Sequence, residues 1–261
     1  MIRVKMRPYR PITLATISIT ILCLLMGFSL ANKPSLKTFT DLQKLSEKMA
    51  QKRYSSQVRL TLYASTESNE VLETRSMEIN VWDNFYHYKT DEMEAFANNQ
   101  VSISINHSKK IILVNPNTKT KKTTYTEQIL PFIMDTGQNQ LFTKSLVSSA
   151  DGIKTYKFKS QLDDSNVDQL LFKIDTKQVK PISCEIYYAN NLDKLLGKIK
   201  KGNNKQKPRM YMEYPTFEYP QKCNPDLFSF SHILRIDKAN NVQLSNKYKN
   251  YELINYLKRN K

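Results

Sequence analysis

From Val58 onward the apolar residues of this chain recur at every second position, and that period decides what it can fold into. Val58, Leu60 and Leu62 alternate with Arg59, Thr61 and Tyr63. Met77, Ile79 and Val81 alternate with Glu78, Asn80 and Trp82, and Val101, Ile103 and Ile105 alternate with Ser102, Ser104 and Asn106. A period of two puts successive side chains on opposite faces of a strand, so each run predicts one buried and one wet face. Ile111, Ile112, Leu113 and Val114 form a continuous apolar run, which predicts a strand covered on both faces. Further strands are predicted over 156–160, 170–175, 182–188, 209–217 and 233–237.

Turn chemistry separates these runs. Asp83-Asn84, Asn106-His107-Ser108, Asn115-Pro116-Asn117, Asp151-Gly152, Asn190-Asn191 and Asn240-Asn241 all suit tight reversals. The chain has only five Gly in 261 residues, so Asn and Asp, which tolerate positive φ, take over glycine's role. Many strands joined by short turns make an antiparallel meander.

Two helices interrupt it. Over 38–51 Phe39, Leu42, Leu45 and Met49 fall on one helical face, with Thr38 and Asp41 set as a capping box. A short second helix is predicted over 126–135, where Ile129, Leu130, Phe132 and Ile133 cluster around Pro131. The fold class is mainly β (α+β). No repeat and no shift of composition divides 32–261, which reads as a single domain.

The first 31 residues read as an export signal. Arg3, Lys5, Arg7 and Arg10 precede an uncharged apolar stretch over 12–31 that ends Ser29-Leu30-Ala31. A positive start, an apolar middle and a small-x-small end describe a secretory signal cleaved after Ala31. The stretch is also long enough to span a bilayer, so an N-terminal anchor facing the periplasm is the alternative. Cys23 follows Leu22 rather than a small residue and serves as apolar filler. Of the remaining thiols, Cys184 and Cys223 form an even pair that invites a disulfide in an oxidising compartment, the alternative being two buried free thiols.

The chain carries 40 Lys+Arg against 24 Asp+Glu, a net charge of +16. Export argues against nucleic acid as the partner of that charge. Much of it is local: over 192–209, Lys194, Lys198, Lys200, Lys201, Lys205, Lys207 and Arg209 face only Asp193. Lys198, Lys200, Lys201 and Lys205 are therefore candidate contacts with an anionic membrane surface or an acidic envelope protein. The plain alternative is an exposed loop between strands.

Reaction chemistry is not declared. His87, His107 and His232 lie far apart in sequence and read as sheet or turn residues. No G-x-S-x-G occurs, and Gly197 and Gly202 have P-loop spacing without the lysine that cradles phosphate. Asp163-Asp164 and Asp91-Glu92 read as solvated turns. No cofactor and no metal site is expected, since two distant Cys lack zinc spacing. An apolar groove is the candidate site, lined by Leu60, Leu62, Ile79, Val81, Ile103, Leu113, Met210 and Met212. Aromatics gather beside it, with Tyr86 and Tyr88 on one strand face and Tyr187, Tyr188, Tyr211, Tyr214, Phe217 and Tyr219 late in the chain. Met and aromatic side chains suit a loosely specified apolar ligand.

The order of parts resembles the periplasmic outer-membrane lipoprotein carrier (LolA/LolB-like) family. The resemblance rests on Asn84-Phe85-Tyr86-His87-Tyr88, on Lys109-Lys110-Ile111-Ile112-Leu113-Val114 and on the run from Asp175 to Ile182. Tyr54-Ser55-Ser56-Gln57 is a distorted counterpart of the family's aromatic-plus-Gln start. The resemblance implies a curved antiparallel half-barrel whose hollow face holds helices and takes acyl chains. It implies a non-enzymatic periplasmic binding protein for a lipid, lipoprotein or other apolar ligand. A tethered accessory subunit of an envelope assembly is the alternative. No functional residue is carried over from the family.

Overall fold

The computed structural model describes residues 39–117, 142–163, 165–190 and 207–257. The predicted leader over 1–31, the helix over 126–135 and the basic residues Lys198, Lys200, Lys201 and Lys205 lie outside them. Among the described residues no helix is long and apolar enough to cross a membrane.

Among the described residues one α-helix, α1 (Thr40–Ala50), precedes the strands. The first half of the sheet is β1 (Arg53–Tyr63), β2 (Val71–Trp82), β3 (Phe85–Lys89), β4 (Met93–Ala97), β5 (Val101–Asn106) and β6 (Ile111–Pro116). The second half is β7 (Phe142–Ala150), β8 (Ile153–Ser160), β9 (Val167–Asp175), β10 (Lys180–Tyr188) and β11 (Arg209–Glu218). A C-terminal hairpin, β12 (Leu234–Ile236) and β13 (Val242–Leu244), leads to β14 (Glu252–Asn255). Twelve strands form one sheet in the order β14-β6-β5-β4-β3-β2-β1-β11-β10-β9-β8-β7, with β12 and β13 a separate pair. All neighbours are antiparallel except β14 on β6. The sheet is large, curved and open, not closed into a barrel, and the expected half-barrel is what forms.

Helix α1 turns Leu42, Leu45, Ser46 and Met49 inward, one helical face of i, i+3, i+4, i+7 spacing. They join the concave side of β1, β2 and β8–β11 in one core with Leu60, Ile79, Phe158, Met210 and Met212. Thr38, the expected capping residue, lies outside the described residues. Phe39 is the N-cap and offers no side-chain cap, and Asp41 turns to the sheet instead. There it accepts from Lys154 Nζ at 2.5 Å and from the Tyr156 hydroxyl at 3.2 Å.

A second core lies on the opposite face of β4–β6. Phe96, Ile103, Ile105, Ile112 and Val114 are buried there under Ile233, Leu234 and Tyr248 of the C-terminal segment. This corrects the reading of 111–114. Only Ile112 and Val114 are fully covered, while Ile111 and Leu113 on the other face stay partly exposed. Asn115 and Pro116 also make no reversal, because they still pair with Ser102 and Val101. Positive φ falls at Asp83, Asp151 and Asn240, as the turn residues suggested, and also at Lys52, Lys110 and Val179.

Candidate functional site

The register decides which candidate residues share a face, because cross-strand partners point the same way. Leu60 stands opposite Met212 and Leu62 opposite Met210. Ile79 and Val81 lie opposite Ser56 and Tyr54 on the same concave side. Those six candidates therefore form one wall, and all belong to the core that includes α1. Ile103 does not join them. It pairs with Phe96 and Val114 and is sealed in the second core. Leu113 pairs with Ser104, in line with Ala95 and Tyr88, on the concave side but beyond the buried cluster. The reason is parity: within β5, Ser102 and Ser104 face the hollow, so the small residues do and the isoleucines do not.

The wall is apolar but bounded by specific polar groups. Arg75 on β2, in line with Leu60, pairs with Glu73 and reaches Glu92 at 3.3 Å. Burial disfavours the guanidinium charge, and the two carboxylates more than restore it. Glu92 keeps the exposed turn position expected of it, its side chain 49% exposed, and reaches Arg75 from there. At the other side Asp41 is held below the usual carboxylate range, chiefly by the Lys154 hydrogen bond. Burial and the Asp41 charge push the Tyr156 hydroxyl up to about 12. One end of the wall is aromatic: Tyr54 stacks on Phe217 at 5.6 Å, with Tyr214 and Tyr219 edge-on to Phe217. Burial raises the pKa of Tyr54, Tyr214 and Tyr219, so they present neutral hydroxyls.

Cys184 and Cys223 are both free, so the disulfide reading is corrected. Cys184 sits in the wall opposite Met212, while Cys223 lies in the exposed segment after β11. Burial pushes the Cys184 thiol up to about 12, which makes it an inert core residue.

Sequence distance concealed one convergence. His87 on β3 and Glu94 on β4 point away from the hollow, and His87 Nε2 lies 2.9 Å from Glu94 Oε1. His107 Nε2 lies 3.7 Å from the other carboxylate oxygen. His87 stacks on Phe96 at 4.5 Å, and His232 meets Phe96 edge-on at 6.0 Å. Burial raises the Glu94 pKa, but the His87 hydrogen bond and the surrounding positive charge bring it below the ordinary value. A carboxylate only accepts, so His87 Nε2 carries the proton. His87 Nδ1 is buried without a partner, and His107 Nδ1 meets the Tyr251 hydroxyl at 3.2 Å. The side chains of His87 and Glu94 are each 9% exposed beneath the C-terminal layer. A substrate would have to displace that layer to reach them, so the group works as a structural clasp. Among the described residues no cluster of His, Cys, Asp or Glu has the geometry to hold a metal ion.

Fold and wall together define the class: an open, curved β half-barrel with an apolar concave face and, among the described residues, one α-helix against it. No family model matches this sequence and no curated protein matches it. Among solved structures it is similar to a LolA superfamily protein from Nitrosomonas europaea, at 10% identity and a TM-score of 0.30 over 76% of this chain and all of that one. It is similar to an uncharacterised conserved protein from Thermus thermophilus, at 5% identity and a TM-score of 0.40 over 82% of this chain and 96% of that one. It is also similar to the MucA/MucB complex of Pseudomonas aeruginosa, at 9% identity and a TM-score of 0.41, covering 79% of this chain and 62% of that one.

Proposed function

We propose that this chain is an exported binding protein that holds an apolar, acyl-type ligand against the concave wall of its half-barrel. The observation that supports this is a mismatch of size. Twelve strands about 4.8 Å apart make a sheet roughly 50 Å wide, whereas α1, the α-helix against it among the described residues, has 11 residues and spans about 16 Å. Beyond the buried cluster the apolar surface continues through the partly buried Tyr86, Met93, Val167, Phe172 and Tyr188. Met210 and Met212 are themselves sealed under α1, and Met93 on this margin suits a ligand with flexible chains. In this reading the leader over 1–31 is removed, 32–261 is a single periplasmic domain, and the basic stretch over 192–209 meets an anionic membrane surface or an acidic envelope protein.

Native mass spectrometry of gently purified protein tests the ligand. Bound lipid in the spectrum, displaced by a fluorescent fatty acid that titrates to saturation, is the expected result. A ligand-free spectrum together with no saturable fatty-acid binding refutes it. N-terminal sequencing of the mature protein checks the compartment, with Asn32 expected as the first residue.

A further inference from the structure

The outer face of β1–β3 carries a cavity of about 310 Å³, away from the apolar wall. A bulge opens it. Between Gln57, opposite Thr216, and Arg59, opposite Glu213, β11 holds one residue more than β1. Pro215 falls in that stretch and has no N–H to give the ladder. The Gln57 N–H donates to the Thr216 hydroxyl at 3.2 Å. Gln57, Arg59, Ser76 and Glu78 face outward because Val58, Leu60, Met77 and Ile79 take the concave side. Lys89 stands opposite Glu78 on β3, and Asp91 follows in the turn to β4.

The cavity is polar and balanced in charge. Arg59 and Lys89 line it together with Glu78 and Asp91, two cations against two anions. Arg59 shares its charge with Glu213 at 3.2 Å, and Glu78 accepts from Asn80 at 2.7 Å. The side chains of Gln57, Ser76, Lys89 and Asp91 make no hydrogen bond or salt bridge with another described residue. Lys89 adds only its through-space charge to the Glu94 site. An uncommitted cation and an uncommitted anion thus meet across one opening. A simple anion drawn to Lys89 would meet Asp91 and Glu78, and a simple cation drawn to Asp91 would meet Lys89 and Arg59. No aromatic ring lines the cavity to stack a sugar. Only a molecule carrying both signs matches both sets of charges at once. It is small, since β1 and β3 are two strand spacings apart, about 10 Å.

We propose that this cavity binds a compact zwitterion, its oxyanion held by Lys89 and Arg59 and its ammonium by Asp91 and Glu78. The ligand class is a carboxylate or phosphate joined to an amine, free or as a lipid headgroup. The site lies on the opposite side of the sheet from the apolar wall and does not depend on what the wall holds.

Amide NMR titration of the isotope-labelled full protein with phosphoethanolamine and with β-alanine tests it. A saturable shift centred on the Ser76 and Lys89 amides is expected for at least one of them, with a Kd of about 1 mM or tighter. Methyl phosphate, acetate and ethylamine each carry one sign of charge and should bind about fivefold more weakly. Asp91→Asn and Lys89→Gln should weaken the zwitterion by a similar factor, and Asp91→Asn should leave methyl phosphate binding unweakened. Both side chains are exposed, so the fold is kept, which an unchanged urea midpoint checks. Phosphatidylethanolamine vesicles separate the two sources. Co-flotation that Asp91→Asn abolishes assigns the zwitterion to a headgroup, and binding of the free molecule alone assigns it to a soluble ligand. Absence of a saturable shift with both zwitterions overturns the proposal. So does equal binding by the single-charge probes or by Asp91→Asn, which would mean ordinary surface charge.

Discussion

Removing the carboxylate at Glu94 should loosen the C-terminal layer from the sheet, and the geometry sets the scale. Glu94 accepts from His87 at 2.9 Å in a site where both side chains are 9% exposed. Glu94→Ala strands the His87 Nε2–H without an acceptor, beside an Nδ1 that already has no hydrogen-bond partner. A charge-assisted hydrogen bond contributes about 1.5–3 kcal/mol, and an unsatisfied buried donor costs about 1–3 kcal/mol. The two overlap, so a loss of about 3 kcal/mol at pH 7 is expected, lowering Tm by roughly 10 °C in a domain of this size. Glu94→Gln keeps an acceptor oxygen and should cost only about 1 kcal/mol. The two variants also differ from wild type in pH dependence. The folded pKa of Glu94 lies below its ordinary 4.5, so its carboxylate contributes fully above that value and the contribution fades as pH falls through the folded pKa. Urea unfolding at pH 7, 5 and 4 should show a constant gap between wild type and Glu94→Gln at pH 7 and 5, narrowing at pH 4. A Glu94→Ala midpoint equal to wild type at pH 7 would refute the clasp, as would a Glu94→Gln gap that widens in acid.

Three further outcomes are expected. Asp41→Ala removes the acceptor shared by Lys154 and Tyr156 and should lower stability by about 1–2 kcal/mol in urea unfolding, releasing α1 from β8. Lys110 is exposed at φ 52° in the turn between β5 and β6. Lys110→Asn should therefore raise stability by roughly 0.5–1 kcal/mol, because Asn adopts this backbone region at lower cost than Lys, read as a Tm increase of a few degrees. In native protein a thiol reagent should label Cys223 within minutes and Cys184 only after unfolding, since burial lifts the Cys184 thiol up to about 12. Labelling of neither before reduction would restore the disulfide.

Local chemistry explains which elements are legible. The strands around Val58, Met77 and Ile103 each show a clean alternation, because one face of each is buried and the other is wet. β4 escapes that pattern since Met93-Glu94-Ala95-Phe96 has apolar residues on one parity and a buried carboxylate on the other. β7 escapes it because an edge strand buries little, leaving only Phe142 inside. β14 has four residues and pairs in parallel with β6, a contact about 140 positions away that no local pattern announces. Arg75 hides in plain alternation with Glu73 and Met77. Only the approach of the turn carrying Glu92 shows that it is an ion-paired group in the wall.

The amino-acid sequence by itself determined the period of two, the Asn and Asp turns, the one amphipathic helix and hence an antiparallel sheet with a helix on its face. Those properties follow from side-chain size, branching and polarity acting over a few residues. Tertiary structure alone decided that the sheet stays open and that Ile103 belongs to a second core rather than to the hollow. It also decided that Cys184 and Cys223 stay apart, and that two histidines distant in sequence share one buried carboxylate. Each of those depends on strand register and on which segment covers which face. Parity along a strand defines two faces but does not say which of them another part of the chain will bury.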